Sequence, residues 1–367
     1  MENQTTEKYL NSQEIENFLM RDAFGYSDAE KPFHLLPLLR QLHELHLQNS
    51  TEYSAVYEKV FHHREINNIT DLPFLPVSIF KEMELKSISN EQVFKVLTSS
   101  GTTGQVPSRI YLDGNTAKIQ TKTLSRIMAA VLGKERLPML VVDSKSVLSN
   151  RTSFSARGAG ILGMSVFGRD HHYLLDDNME TDAEIWNSFL EKYDGKPIFI
   201  FGFTFMIWKF LLPELKKRKV DLSQAILVHS GGWKKLTERA VDNPTFKSVL
   251  NQYCGMQRIH NFYGMVEQVG TVFLENKLGF LHCPSFSDII IRDPSTLDEL
   301  PDGKEGLIQV LSCLPASYPG HSLLTEDIGV IEGRDHPGLD WKGKYFRIIG
   351  RAKKAELRGC SDTFKKA

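Results

Sequence analysis

The sequence predicts an α/β fold with a second, β-rich part, and three observations carry that expectation. From residue 93 onward, short β-rich runs alternate with helical stretches, the pattern of a largely parallel sheet. After residue 270 the helical stretches stop and strand-like runs follow one another directly, which predicts a small antiparallel subdomain. The first ninety residues space their apolar side chains mainly for helix.

In chain order, Phe33 to Leu47 places leucines at helical spacing, with Pro37 expected near the first turn. Two prolines in Leu72-Pro73-Phe74-Leu75-Pro76-Val77 then force an extended approach to a short helix. The β-rich runs are Val93–Leu97, Met139–Val142, Ile198–Phe201, Ile226–His229 and Ile259–Phe262. Helices are expected at 114–133, 181–192, 204–219 and 233–253. Later strands are expected at 288–292, 306–311, 328–331 and 345–349, with Pro301-Asp302-Gly303-Lys304 as a turn. The resulting organisation is a helical segment packed on the core (1–92), an α/β core (93–270), a β-rich subdomain of that core (271–349) and a C-terminal tail (350–367).

Composition excludes several function classes. Lys plus Arg (44) nearly balances Asp plus Glu (45), so no global charge favours nucleic acid or anionic membranes. The longest apolar stretch, Pro197 to Leu212, is broken by Gly202, Thr204 and Lys209 and is too short for a membrane span. The polar start, Met1 to Thr6, does not read as a secretory signal. Cys254, Cys283, Cys313 and Cys360 are widely spaced without a C-x-x-C pair, which argues against a zinc site or a disulfide framework. A cytoplasmic, reduced protein is expected.

Two features carry chemistry. The loop Thr98-Ser99-Ser100-Gly101-Thr102-Thr103-Gly104 lies between two β-runs, and its glycines let a backbone approach a ligand while its hydroxyls offer donors to phosphate. It lacks the Gly-Lys-Ser/Thr ending of a Walker loop, and composition alone leaves an ordinary polar hairpin equally open. The second feature is Cys360, on a tail where Arg351, Lys353, Lys354, Arg358, Lys365 and Lys366 favour a thiolate. Cys254, Cys283 and Cys313 lie in patterned segments and read as small buried side chains. His171-His172 reads as an exposed loop pair. Phe199, Phe201, Phe203 and Phe205 read as core, with Gly202-Phe203 at the border of an acyl pocket as the alternative.

Ser99 to Gly104 resembles the phosphate loop of the acyl-adenylate-forming (ANL) superfamily, which includes acyl-CoA synthetases, firefly luciferase and peptide-synthetase adenylation domains. Further matches follow in order. Ser230-Gly231-Gly232 resembles the glycine pair packed on adenine. Asn261-Phe262-Tyr263-Gly264-Met265-Val266-Glu267 resembles the Tyr-Gly-x-Thr-Glu motif, which implies Tyr263 against adenine, Gly264 and Met265 beside the nucleotide, and Glu267 toward Mg2+. Thr325-Glu326-Asp327 resembles the Thr-Gly-Asp whose aspartate holds the ribose hydroxyls, and Gly350-Arg351 begins a stretch like the hinge motif. The implied cofactors are ATP and Mg2+, because a carboxylate attacking the α-phosphate needs metal and cationic groups to offset developing charge.

Within that superfamily, Leu72 to Val77, His229-Ser230-Gly231-Gly232-Trp233-Lys234-Lys235 and Gly350 to Cys360 resemble acyl-protein synthetases of the LuxE family over essentially the whole chain. The resemblance implies that a fatty or other carboxylic acid is activated as acyl-AMP and held as a thioester on Cys360. From there it passes to an acyl-accepting protein such as an acyl reductase subunit. Three departures stand out. The chain ends seven residues after Cys360, so the superfamily's swivelling C-terminal domain, with its catalytic lysine, is expected to be absent or truncated. Val266 replaces the motif's threonine, and Glu326 replaces the glycine of Thr-Gly-Asp. A phenylacetate-type ligase using free coenzyme A and a nucleotide-binding scaffold without turnover are the alternative readings.

Overall fold

A computed structural model describes residues 5–99, 107–148, 156–233 and 240–352. By its internal contacts the chain divides into two units, one formed by residues 1–127 together with 264–367 and the other by residues 128–263.

The first unit begins with helices α1 (Thr6–Leu10), α2 (Gln13–Met20), α3 (Lys31–Asn49) and α4 (Thr51–Phe61). Side-chain oxygens of Thr5, Ser12 and Ser50 cap α1, α2 and α4 by accepting from exposed backbone N–H groups. Helix α3 starts earlier than its leucines suggest. Pro32 occupies its first turn and Pro37 lies in its interior. The N–H that Pro37 lacks would have met the carbonyl of Phe33, a residue 80% exposed, where water is the available partner. Next come β1 (Leu75–Pro76) and the hairpin β2 (Lys95–Thr98) and β3 (Arg109–Leu112), followed by α5 (Gly114–Leu132).

The second unit contains β4 (Leu137–Ser144), α6 (Ala156–Ser165), β5 (Gly168–Leu175), α7 (Ala183–Lys192) and β6 (Phe199–Phe203). After β6, α8 (Thr204–Met206) runs through a π-helical turn (Ile207–Leu211) into α9 (Leu212–Lys217), and β7 (Ile226–Ser230), α10 (Asn243–Cys254) and β8 (Arg258–Tyr263) complete the unit. The strands are parallel in the order β5-β4-β6-β7-β8. Leu140, Val142, Ile200 and Leu227 from the strands meet Trp186, Phe189, Leu211, Leu215, Phe246 and Leu250 from the helices in one buried cluster. The near-continuous apolar runs of β4, β6 and β7 are what strands covered on both faces require.

The chain returns to the first unit as β9 (Phe273–Glu275), β10 (Leu281–His282), β11 (Ser287–Arg292), β12 (Gly306–Ser312), β13 (Ser322–Arg334) and β14 (Lys344–Arg351). They pair antiparallel in the order β11-β12-β13-β14-β10-β9, and β1 adds to β13 in parallel. The parallel sheet followed by antiparallel strands agrees with the sequence expectation. Among the described residues no helix is long and apolar enough to cross a membrane.

The N-terminal helices are fastened to these late strands by buried polar groups. Tyr9 donates its hydroxyl to the carbonyl of Cys313 at 2.7 Å. The buried Lys31 ammonium donates to the carbonyls of Cys283, Pro284 and Ser287 at 3.2–3.3 Å. His46 donates through Nε2 to Pro315 O at 3.0 Å, which leaves Nδ1 to accept from Ser87 Oγ at 2.8 Å. Its ring stacks on His321 at 5.1 Å, and His43 meets the Tyr53 hydroxyl at 2.8 Å.

Burial lowers the pKa of His43 to about 4 and of His46 to about 3, and pushes His321 well down. All three are therefore neutral when folded, whereas the unfolded chain binds their protons below about pH 6.5. Their contribution to stability is complete above that pH and is lost as the pH falls toward the folded values. Urea unfolding should be nearly flat from pH 7 to 8.5. Below pH 6.5 stability should drop by roughly 1.4 kcal/mol per pH unit for each such histidine. A midpoint unchanged between pH 7 and 5 would contradict this.

Candidate functional site

In the second unit, the resemblance-derived nucleotide residues lie at the carboxyl ends of adjacent parallel strands, where α/β sheets ordinarily hold ligands. Ser230 ends β7 in register with Phe262 of β8, and its hydroxyl donates to Phe262 O at 2.9 Å. That bond ties the start of Ser230-Gly231-Gly232 to the strand ending in Tyr263. Gly231 has φ +83°, a conformation L side chains rarely adopt, and a Cβ there would lie 3.3 Å from the Phe203 ring. Behind the glycines, Thr204 Oγ1 meets Nδ1 of the buried His229 at 2.9 Å, and burial lowers that histidine to about 3. Trp233 packs edge-on against Trp208, which the π-helical turn presents, at 5.4 Å. The structure thus brings Gly231, Gly232 and Tyr263 to two neighbouring strand ends.

In the first unit, Thr98 and Ser99 close the neck of the hydroxyl-rich loop. Thr98 pairs with Arg109, Ser99 N donates to Ser108 O at 3.1 Å, and Ser108 N donates to Ser99 Oγ at 2.9 Å. Ser100, Gly101, Thr102, Thr103 and Gly104 lie outside the described residues, as does Cys360.

Glu267 sits in a 3₁₀ turn, Val266–Gln268, after Gly264 and Met265, and is 6% exposed. Burial raises its carboxyl pKa. The Ser108 hydroxyl, its own backbone N–H and the Lys81 ammonium oppose the rise by favouring the ionised form. Ser108 Oγ is buried and beside this carboxylate but makes no hydrogen bond of ordinary geometry. A hard-oxygen carboxylate next to an unsatisfied hydroxyl suits magnesium held by one protein carboxylate and substrate phosphates. No cluster of three or more His, Cys, Asp or Glu side chains among the described residues offers an all-protein metal cage.

The third group is Asp327 and Arg351, far apart in sequence and directly opposite each other in the β13–β14 ladder. Arg351 Nε lies 3.8 Å from Asp327 Oδ1, and the guanidinium's other end lies 3.2 Å from Glu326 Oε2. Thr325 Oγ1 donates to Ile308 O at 2.8 Å and accepts from Asp327 N at 3.2 Å, so the Thr-Glu-Asp segment is fixed by its threonine.

Other expectations are settled by the described residues. Cys254, Cys283 and Cys313 are buried free thiols, as the patterning implies. Phe199 and Phe201 are fully buried, while Phe203 and Phe205 are half-buried at the strand end. His171 and His172 are not in a loop; both lie in β5, where His172 approaches Asp170 at 3.4 Å. Sequence reasoning missed Lys81, which follows the proline-rich approach in a 3₁₀ turn with no periodicity to mark it. It also missed the ion pair of Arg157 with buried Asp143, 3.0 Å apart at the carboxyl end of β4.

Comparison with known proteins identifies the family. The family described as acyl-protein synthetase, LuxE, matches residues 3–367. The chain is 24% identical over 348 residues to the long-chain-fatty-acid–luciferin-component ligase of Vibrio harveyi, covering 88% of this chain and 85% of that protein. The Aliivibrio fischeri protein of the same name is 24% identical over 339 residues, covering 88% and 86%. Among solved structures, 2-hydroxyisobutyryl-CoA ligase in an open conformation with 2-HIB-AMP and CoA gives a TM-score of 0.65 at 17% identity. That match covers 88% of this chain and 75% of that one, a likeness of fold. With the fold of an adenylate-forming ligase and a family match along nearly its whole length, this chain belongs to the acyl-protein synthetase (LuxE) family.

Proposed function

We propose that this enzyme activates a fatty or other carboxylic acid with ATP and then acylates its own Cys360. The acid's carboxylate oxygen attacks the α-phosphorus, the bond to pyrophosphate breaks, and acyl-AMP forms. The Cys360 thiolate then attacks the acyl carbonyl, the carbon–oxygen bond to AMP breaks, and AMP leaves with that electron pair. The resulting thioester is passed to an acyl-accepting protein such as an acyl reductase subunit.

Ser99 to Gly104 hold the phosphates, while Gly231, Gly232, Tyr263, Gly264 and Met265 frame the adenine. Asp327 and Arg351 take the ribose, and Glu267 is the metal carboxylate. Bound magnesium supplies charge neutralisation at the phosphates. We place the reaction in the cytoplasm, where a free thiol such as Cys360 stays reduced.

The observation that carries the thioester step concerns the other thiols. Of the four cysteines, Cys254, Cys283 and Cys313 are buried. Burial raises the pKa of Cys254 to about 11 and pushes Cys283 and Cys313 higher still, so none supplies a thiolate near neutral pH. Cys360 is the remaining thiol. Intact-protein mass spectrometry after incubation with magnesium ATP and a panel of fatty and short acids tests the reading. A single hydroxylamine-labile acyl adduct is expected with at least one acid. AMP formation that instead requires free coenzyme A would replace this reading with a CoA ligase, and no nucleotide turnover with any acid would leave a binding scaffold.

A further inference from the structure

We propose that Arg157, held in place by the buried Asp143, binds the carboxylate of the acid that this enzyme activates. The inference deepens the function proposed above and rests on it.

Strand register places the pair at the ligand end of the parallel sheet. Val141 of β4 pairs with Phe201 of β6, Phe203 with Ser230 of β7, and Ser230 with Phe262 of β8. Continued by two residues, the first pairing sets Asp143 beside Phe203. Asp143, Phe203, Ser230 and Phe262 then form one row at the carboxyl ends of four parallel strands. Helix α6 touches this row twice. A Cβ on its Gly160 would lie 3.2 Å from the tip of the Phe203 ring. Arg157, three residues earlier on the same helix face, meets Asp143 at 3.0 Å. The base of the Phe203 ring approaches Gly231, where a Cβ would lie 3.3 Å away. Two strand spacings, roughly 10 Å, separate Asp143 from Ser230, where the glycine pair of the nucleotide begins.

The Asp143 side chain is 1% exposed and that of Arg157 31%, so a buried carboxylate fixes a guanidinium that still reaches solvent. The contact is made at Nε, and an arginine held there carries further N–H groups on its two terminal nitrogens, the fork that grips a carboxylate. Beside it stand a half-buried aromatic ring and a helix without a side chain at Gly160. A cation next to apolar surface suits a molecule with an anionic head and an apolar body, which describes a fatty acid and not pyrophosphate. The reaction also calls for such a cation. The attacking carboxylate and the α-phosphate are both negative, and a guanidinium on the carboxylate offsets their repulsion while orienting one oxygen toward phosphorus. Asp143 touches the arginine and not the substrate, so its role is positioning.

The test uses pyrophosphate exchange with the acid that acylates the wild type in the panel above. Arg157→Gln should raise the KM for that acid roughly ten- to a hundred-fold, the loss of one charge-assisted hydrogen-bonded contact. Arg157→Lys, which keeps the charge and lacks the fork, should fall between. The KM for ATP and the affinity for AMP by calorimetry should stay within about two-fold of wild type. Because Arg157→Gln leaves a buried carboxylate without its cation, the double variant Asp143→Asn/Arg157→Gln guards against misfolding and should show the same defect toward the acid. The primary amide of the same chain has no charge to meet and should inhibit wild type and variants equally, which a merely structural loss would not produce. A KM for the acid within two-fold of wild type in the double variant overturns the inference. So does a rise in the KM for ATP in place of that for the acid, which would assign the guanidinium to the nucleotide phosphates. Either result leaves the proposed function standing, whereas a wild type that exchanges pyrophosphate with no acid removes both.

Discussion

Cys360→Ser should abolish the acyl adduct while leaving pyrophosphate exchange within about two-fold of wild type. The two half-reactions use different groups. In the proposed mechanism, adenylate formation uses the phosphate loop, the metal carboxylate and the ribose pair. Thioester formation needs a nucleophile carried to the carbonyl. The six cationic residues of the tail favour a thiolate at Cys360, whereas a serine hydroxyl in its place stays protonated near neutral pH. Tethering gives the thiol an effective concentration that a free thiol must reach by bulk concentration, so the loss should be complete on the timescale of the wild-type reaction. Mass spectrometry and exchange on the same preparation read both steps. An adduct persisting in the serine variant would redirect the search to another nucleophile. Exchange lost together with the adduct would mean that Cys360 is needed before the adenylate forms.

The second large effect should come from Glu267→Gln, a loss of roughly a hundred-fold or more in pyrophosphate exchange with weakened dependence on Mg2+. The direction with pH follows from burial. The carboxyl pKa is raised, so metal binding, which requires the ionised form, must weaken as pH falls through a range above that of an ordinary glutamate. The acid limb of Mg2+ affinity should therefore sit high in wild type and vanish in the Gln variant. Stability separates this effect from misfolding. Ionising a buried acid of raised pKa costs the folded state as pH rises, so the neutral glutamine variant should melt no lower than wild type at pH 7.5 without metal. Equal Mg2+ affinity in the two proteins would remove Glu267 from the metal site.

What could be read before the structure was known follows physical lines. Strands β4, β6, β7 and β8 announce themselves because short apolar runs bounded by turn residues have few other solutions. Helix α6 and strand β5 did not. Three glycines in Ala156-Arg157-Gly158-Ala159-Gly160-Ile161-Leu162-Gly163 lower its apparent helix propensity, and the first half of β5, Gly168-Arg169-Asp170-His171, is polar because the strand stands at the end of its sheet order. At the site, the motifs gave residue types but not their mates. That Asp327 faces Arg351 depends on register shifts at Ile328/Gly329 and Ile331/Gly333, which no local pattern encodes. The charge of Lys81 is felt at Glu267 only because the chain folds back across nearly two hundred intervening residues, a long-range fact that propensity cannot express.

The division of the chain also has a consequence for its birth on the ribosome. Residues 128–263 are contiguous and can settle as soon as they emerge, whereas the first unit needs segments from both sides of them. Tyr9 must wait for an acceptor 304 residues downstream, about 15–60 s at ordinary translation rates. Throughout that interval the apolar faces of α1 to α4 lack the strands that bury them, and Lys31 lacks its three carbonyls. Substitutions in those helices should therefore be felt first as lost yield of folded protein and greater demand on chaperones, with the specific activity of the molecules that do mature left intact.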